Sequence, residues 1–383
     1  MKKKAVLIII VFVILISSQS FALDNTSISW QKAVSLLEQN NSTLLNMADS
    51  EKTAEKRYED SKISSTMNTD GMSISFMGMS YFFEYDTHIK LMMTQKKELY
   101  PEQMKYSWEM ARDSRNSAKN SLIIGLRGLY LGLFSADNDC EIKQKKYELA
   151  QTIHKQNEIK YERGLIPSIT LDESEYDLLS AKVAVDAAKR NYENMLRSLN
   201  ATIGISPDTT YEIVNYTETY DSKRLKTYSY YAEKALSERL DIVSAEKQIY
   251  LMEKNKSIME SIPNCLNITS VGKDYADLLK DIDYQKIKLE SARLDVEMGI
   301  KSAYSEVSAA GKSTTSLKKV LDLRRSSLDN TKKRFQAGLI SKTILDEVQI
   351  GYEEFENTYK AAMFDYNTKL MKLEYAAGIG PAY

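Results

Sequence analysis

Six methionines, Met67, Met72, Met77, Met79, Met92 and Met93, lie close in sequence to His88. Thioether and imidazole donors of this kind suit Cu(I). Methionine also fills irregular apolar gaps. That packing role is the reading adopted here, and no metal ligand is assigned. His88 and His154 are the only histidines, and neither sits in a catalytic constellation. The chain has no Gly-rich phosphate loop, no nucleophile elbow and no metal-spaced cluster. Its Asp and Glu are interspersed with Lys and Arg, as on a solvated helical face. No catalytic residue, no cofactor and no enzymatic activity are expected. The net charge of -1 gives no field for nucleic acid.

The elements that carry these residues read as long helices. The 383 residues are 43% hydrophobic and 27% charged, which excludes a disordered chain. Five prolines and fourteen glycines leave long stretches without a helix breaker. Residues 1–22 read as a secretory signal peptide. Lys2, Lys3 and Lys4 precede the apolar run "AVLIIIVFVILI", and "SFA" ends the segment. A retained anchor is the alternative, although the run is short of the about 20 residues a spanning helix needs. No later segment is apolar enough to span as a helix. Cys140 and Cys265 are expected to be free thiols. The helical layout puts them tens of ångströms apart, beyond the roughly 7 Å Cα separation at which bridging fails.

The stretch "YERGLIPSITLDE" (161–173) returns as "FQAGLISKTILDE" (335–347), 174 residues on. The same offset aligns Gly125 with Gly299, Tyr130 with Tyr304, Tyr192 with Tyr366 and Gly204 with Gly378. This is an internal duplication. The front ends, "SWQKAVSLLEQNN" and "SYYAEKALSERLD", match more loosely, at an offset nearer 198. The extra length of the first half therefore falls around Ile63 to Leu99. Two repeats follow, 23–210 and 211–383. The first carries a strand region within 63–95, where Met72, Ile74 and Phe76 alternate with serines. The second carries only a very short one, 262–272, from the alternation in "CLNITSV".

After each tip the apolar pattern is heptad. Leu171, Leu178, Val185, Tyr192 and Leu199 are seven apart, as are Leu345, Tyr352, Tyr359, Tyr366 and Leu373. Such a repeat wraps helices left-handedly around neighbours, and the seams of an ordinary helical bundle look similar. Before the first tip, the helical pattern over Pro101 to Arg163 spans roughly 90 Å. Gly164 and Gly338 suit a left-handed helix end. Ser168 or Thr170, and Ser341 or Thr343, are the expected caps of the next helices. Asp172, Glu173, Asp346 and Glu347 are expected in their first turns, where negative charge is favoured. Each stretch is thus the tip of a long antiparallel α-hairpin. Leu165 with Ile166, and Leu339 with Ile340, either dock a partner or pack back on their own hairpin.

Together the two aromatic-x-x-Gly-Leu tips, the Leu-Asp-Glu runs after them, the duplication and the signal resemble the TolC-like outer membrane efflux proteins. The resemblance covers most of the chain beyond the signal. It implies a mainly α protomer of duplicated helical hairpins, three of which build an α-helical barrel. It further implies a passive duct in the outer membrane that serves an efflux or secretion system. The partners would be a periplasmic adaptor (membrane fusion) protein and an inner-membrane transporter. By the same resemblance Gly164, Leu165, Ile166, Gly338, Leu339 and Ile340 would contact the adaptor, and Asp346, Glu347 and Asp172 could form a pore gate. The strand regions are too short for the family's barrel, since a membrane strand needs about 9–11 residues. The β-barrel portion is therefore expected to be reduced or absent. The alternative is an exported helical scaffold that binds an adaptor without transporting anything.

Overall fold

The computed structural model describes residues 27–213 and 218–380. The expected signal segment lies outside the described residues. The chain opens with β1 (Ser27–Ile28), α1 (Trp30–Asn40) and α2 (Ser42–Ser61). A small hairpin of β2 (Gly71–Phe76) and β3 (Met79–Glu84) follows, then α3 (Thr87–Thr94). A π-helical turn leads into α4 (Tyr100–Glu162), and α5 (Ser168–Thr202) runs back along it. β4 (Glu212–Ile213) pairs in parallel with β1. The second repeat holds α6 (Tyr228–Glu238), α7 (Leu240–Ser261), α8 (Thr269–Gln336) and α9 (Lys342–Ala376). Among the described residues, no helix is long and apolar enough to cross a membrane.

The duplication is visible in the element bounds. α5 and α9 are both 35 residues long, and α1 and α6 are both 11. Each long hairpin reverses through the same hydrogen bonds. Leu165 N–H donates to Lys160 O at 2.8 Å, and Leu339 N–H to Arg334 O at 2.9 Å. The glycines between, Gly164 and Gly338, sit at φ +68° and +71°. This six-to-one bond over a left-handed glycine is a Schellman closure. The far ends of α5 and α9 close the same way, on Gly204 at φ +74° and Gly378 at φ +76°.

Several details depart from the sequence reading. The turns occupy 163–167 and 337–341, each beginning one residue before the expected glycine. Ser341 does cap α9, accepting from Ile344 N–H. Ser168 and Thr170 do not cap α5, because Pro167 takes the cap position with no side-chain acceptor. Its ring fixes φ near the value a helix entry needs. Asp172, Glu173, Asp346 and Glu347 consequently lie in the second turn of their helices, and neither first turn contains an acidic residue.

The strand expected in 262–272 does not form. A 3-10 turn over Cys265–Asn267 leads into α8 instead. Cys265 and Val271 are buried and Ile268 packs beside them, against Leu91, Leu99 and Leu251. That one-sided spacing of three is helical, and no second strand is at hand to complete a ladder. Cys265 Sγ donates to Met259 O at 2.9 Å. Both thiols are free, and burial pushes both above the usual thiol range.

The helices form one layer in the order α5, α4, α9, α8, with α2 against α4 and α7 against α8. Each repeat has its own core. Leu37, Leu126, Tyr130 and Leu199 anchor the first; Ala235, Ile300, Val307 and Leu373 anchor the second. Of the heptad positions, Leu199 belongs to the first core and Tyr366 and Leu373 to the second, while Val185 and Leu345 are buried outside these two clusters.

The four glycine closures should differ in their response to a methyl group. At Gly164 an added Cβ meets nothing within 4 Å, so Gly164→Ala should cost only the left-handed penalty, about 1–2 kcal/mol. At Gly204 it would lie 2.5 Å from Asn40 Cβ. Gly204→Ala should therefore cost at least about 1 kcal/mol more. Denaturant melts of the two variants check the order.

Candidate functional site

Both hairpin tips end in exposed apolar side chains. Leu165 is 68% and Leu339 70% exposed. The next residues, Ile166 and Ile340, are half-buried. Tyr161 and Ile169 extend the first patch, and Phe335 and Ile344 the second, all exposed. In the single chain the tip leucines therefore do not pack back onto their own hairpins. The candidate gate carboxylates sit just beyond. Asp172 and Glu347 are exposed, while Asp346 is half-buried and forms an ion pair with Lys342 one turn earlier. The two groups lie on different hairpins, with α4 packed against both α5 and α9.

The seam between the repeats joins α4 to α9 and is largely polar. Lys145 donates to Glu353 at 2.9 Å and Lys146 lies 2.5 Å from Glu354. The bond to Glu353 raises the pKa of the Lys145 ammonium. Phe134 meets Phe364 edge to face at 6.0 Å. Arg127, only 3% exposed, donates to Thr368 Oγ1 at 2.9 Å and pairs with Glu218. Asn367 Nδ2 reaches the other Glu218 oxygen at 2.9 Å. Glu218 lies just after the chain crosses between repeats, so this buried network fastens that crossing to the seam.

The outer edges of the layer are α5 and α8; among the described residues, α5 packs against no long helix but α4, and α8 against α9, α7 and the short α6. α5 presents exposed Ile169, Tyr176, Leu179 and Val183. α8 presents exposed Tyr284, Ile287, Leu294, Met298, Val320 and Leu323. These stripes were not singled out from the sequence. The signal was there, since Ile169, Tyr176 and Val183 are seven apart in a second heptad register beside the core one.

The methionine cluster takes a different form from the gap-filling role expected. Met72, Met77, Met79 and Met92 are exposed, on the β-hairpin and α3. His88 is exposed too. His154 is half-buried, with Nδ1 3.0 Å from Ser174 Oγ in a helix-to-helix hydrogen bond. Among the described residues, no group of three or more His, Cys, Asp or Glu is placed to hold a metal ion.

No protein-family model matches the chain, and no curated protein matches it. Solved structures do. The Campylobacter jejuni CmeC outer membrane channel superimposes with a TM-score of 0.61 at 14% identity, over 91% of this chain and 85% of that one. The Vibrio cholerae outer membrane protein VceC gives 0.61 at 10% identity, over 92% and 96%. The open-state Neisseria gonorrhoeae MtrE outer membrane channel gives 0.55 at 14% identity, over 92% and 89%. This chain has the outer-membrane-channel fold. The match spans both repeats, with the long hairpin of each.

The seam makes its own prediction. Arg127→Met leaves Glu218 buried without its cation and should cost about 3–5 kcal/mol. Arg127→Met with Glu218→Leu should recover most of that loss. Equilibrium unfolding of the single and double variants reads the difference.

Proposed function

We propose that this protein is an exported duct component of an efflux or secretion system. Copies close edge to edge into a hollow helical cylinder in the cell envelope, at the outer membrane. One observation carries this reading. The step that places α9 beside α4 inside the chain, applied once more, places the α5 edge of a second copy beside the α8 edge of the first. In repeat register Lys146 and Glu354 of the inner seam correspond to Val320 and Ser180 on the two edges. A heterologous contact repeated in this way generates a closed ring when its rotation closes. The resemblance to TolC-like proteins supports three copies. The duct does no chemistry; it confines a path, and an inner-membrane transporter supplies the energy.

The tips are the proposed docking surface for a periplasmic adaptor. Gly164 and Gly338 set the reversal, and Leu165, Ile166, Leu339 and Ile340 supply the apolar contact. Exposed apolar groups gathered at one end of a rod mark such a site. Asp172, Asp346 and Glu347 would line the constriction nearby. With Asp346 already paired to Lys342, the exposed Asp172 and Glu347 would carry most of its free charge.

An adaptor-binding scaffold without a pore is the second reading. The observation behind it is that the described residues hold one β-hairpin, whose strands have six residues each where a membrane strand needs about 9–11.

Two experiments test these readings. A chain carrying Ser180→Cys and Val320→Cys, in a Cys140→Ser background, is treated with a short bis-maleimide. A ladder of linked species that stops at the trimer is expected, and rings should appear in micrographs. Only unlinked monomer would exclude the ring. For docking, Leu165→Asp with Leu339→Asp should leave helical content and melting unchanged, because both side chains are exposed, while adaptor binding and export are lost. Binding equal to the parent's would remove the tips from the interface.

A further inference from the structure

The β2–β3 hairpin stands at the start of α4, and the tips at its other end, so it projects from the opposite end of the molecule. Its two faces differ sharply. The cross-strand pairs Met72 with Phe83, Ile74 with Tyr81 and Phe76 with Met79 put six apolar side chains on one face, all exposed. The pairs Ser73 with Phe82 and Ser75 with Ser80 make the other face, three serines to one phenylalanine. Met77, at the turn, is 85% exposed. From Gly71 to Phe83 the chain carries no charged residue. Charge begins abruptly at the base, with Asp70 just before β2 and Glu84 at the end of β3, the latter 2.6 Å from Lys90. Exposed Ile89 and Met92 lie on α3, which begins three residues after β3 ends.

We propose that this hairpin is a lipid anchor that enters one leaflet and stops there. Met72, Ile74, Phe76, Met79, Tyr81 and Phe83 lie against the acyl chains, with the serine face turned to the headgroups. Three observations select a lipid surface as the occupant. The first is charge: an uncharged span ending in a cluster of carboxylates and a lysine matches the uncharged interior and polar boundary of a bilayer. The second is length: six residues at about 3.3 Å each give roughly 20 Å, short of the about 30 Å hydrocarbon core. The third is the backbone. Among the described residues β2 and β3 pair only with each other, so each has an open edge. Hydrocarbon does not tolerate such edges, whereas the hydrated headgroup zone satisfies them. A hairpin lying in the interface with its apolar face down meets all three conditions, much as interfacial amphipathic helices do. Anchoring is measured apart from ring formation and adaptor binding, so either can fail while the other holds.

The test uses the protein purified from cells and vesicles of phosphatidylcholine and phosphatidylglycerol. The parent should float with the vesicles. Phe76→Ser with Phe83→Ser should reduce flotation by about tenfold or more, with unchanged helical content. Tyr81→Trp gives a local reporter, because Trp30 and Trp108 lie in the helical part of the chain. Lipids brominated near the ester should quench it, lipids brominated at the chain end should not, and a trapped dye should stay inside. Equal flotation of the serine variant, or a reporter that no brominated lipid quenches, overturns the anchor. Deep quenching with dye release also overturns it, since the hairpins would then close into a spanning ring. So does a serine variant that changes oligomeric state and not flotation, because the face would then be a contact between copies.

Discussion

Four glycines at positive φ set the length of everything else in this protein. A helix of more than sixty residues, such as α4 or α8, must stop within one residue of the right place if its partner is to run back in register. The heptad seam allows no slack, because a slip of one position rotates a helical face by about 100°. Gly164 and Gly338 stop the outbound helices, and Gly204 and Gly378 stop the returning ones. Each closes its helix by a bond from the next N–H to a carbonyl five residues back. The only sharp difference between the two tips is at the entry of the return helix. The first uses the fixed dihedral of Pro167 and the second the hydroxyl of Ser341. Two chemical solutions to one geometric demand show that the geometry, rather than the residue, is what the duplication preserves.

A second constraint follows from length. A hairpin of this kind has no interior of its own; it has a seam. Four helices side by side give three seams and two bare edges, however well the seams are packed. The buried residues accordingly run in narrow lines along α5 and α9, and away from the tips and the β-hairpin much of the exposed apolar surface lies on α5 and α8. Such a layer is stable in proportion to the edges it covers. Ring closure in the proposed duct and stability of the protomer are then the same physical matter.

Much of this was legible in the sequence, for identifiable reasons. An ungapped offset of 174 with recurring glycines and aromatics fixes the hairpins, because register and turn chemistry leave a direct trace. The two heptad runs predict the buried faces of α5 and α9 for the same reason. The region 262–272 misled because Cys265, Ile268 and Val271 are spaced for a helix while their neighbours alternate; only the presence or absence of a pairing strand decides. The caps of α5 misled because Pro167 takes the cap position, where its carbonyl oxygen rather than a side-chain hydroxyl accepts, from Thr170 N–H at 3.1 Å. The Arg127–Glu218 network left no trace at all, since its members come from three distant parts of the chain.

The two kinds of seam are built from different chemistry, and the difference is physically sensible. Inside the chain, α4 meets α9 through Lys145, Lys146, Glu353 and Glu354, with Arg127 and Glu218 buried at one level. The chain itself holds these partners together, so the effective concentration is high and polar contacts suffice. Exposed ion pairs contribute little to stability, roughly 0–1 kcal/mol each. The buried pair is better suited to specifying which faces meet than to strengthening the contact. On the outer edges, the same repeat positions hold Leu179 in place of Glu353 and Val320 in place of Lys146. Association between separate copies must first offset several kcal/mol of lost translational and rotational freedom. Apolar area can supply that, and exposed ion pairs of the inner-seam kind cannot. Of the four inner-seam charges, two have apolar counterparts on the outer edges (Val320 and Leu179) and two have polar ones (Lys319 and Ser180). The two apolar replacements are in the direction expected where one repeat interface is held within a chain and the other is an encounter between molecules.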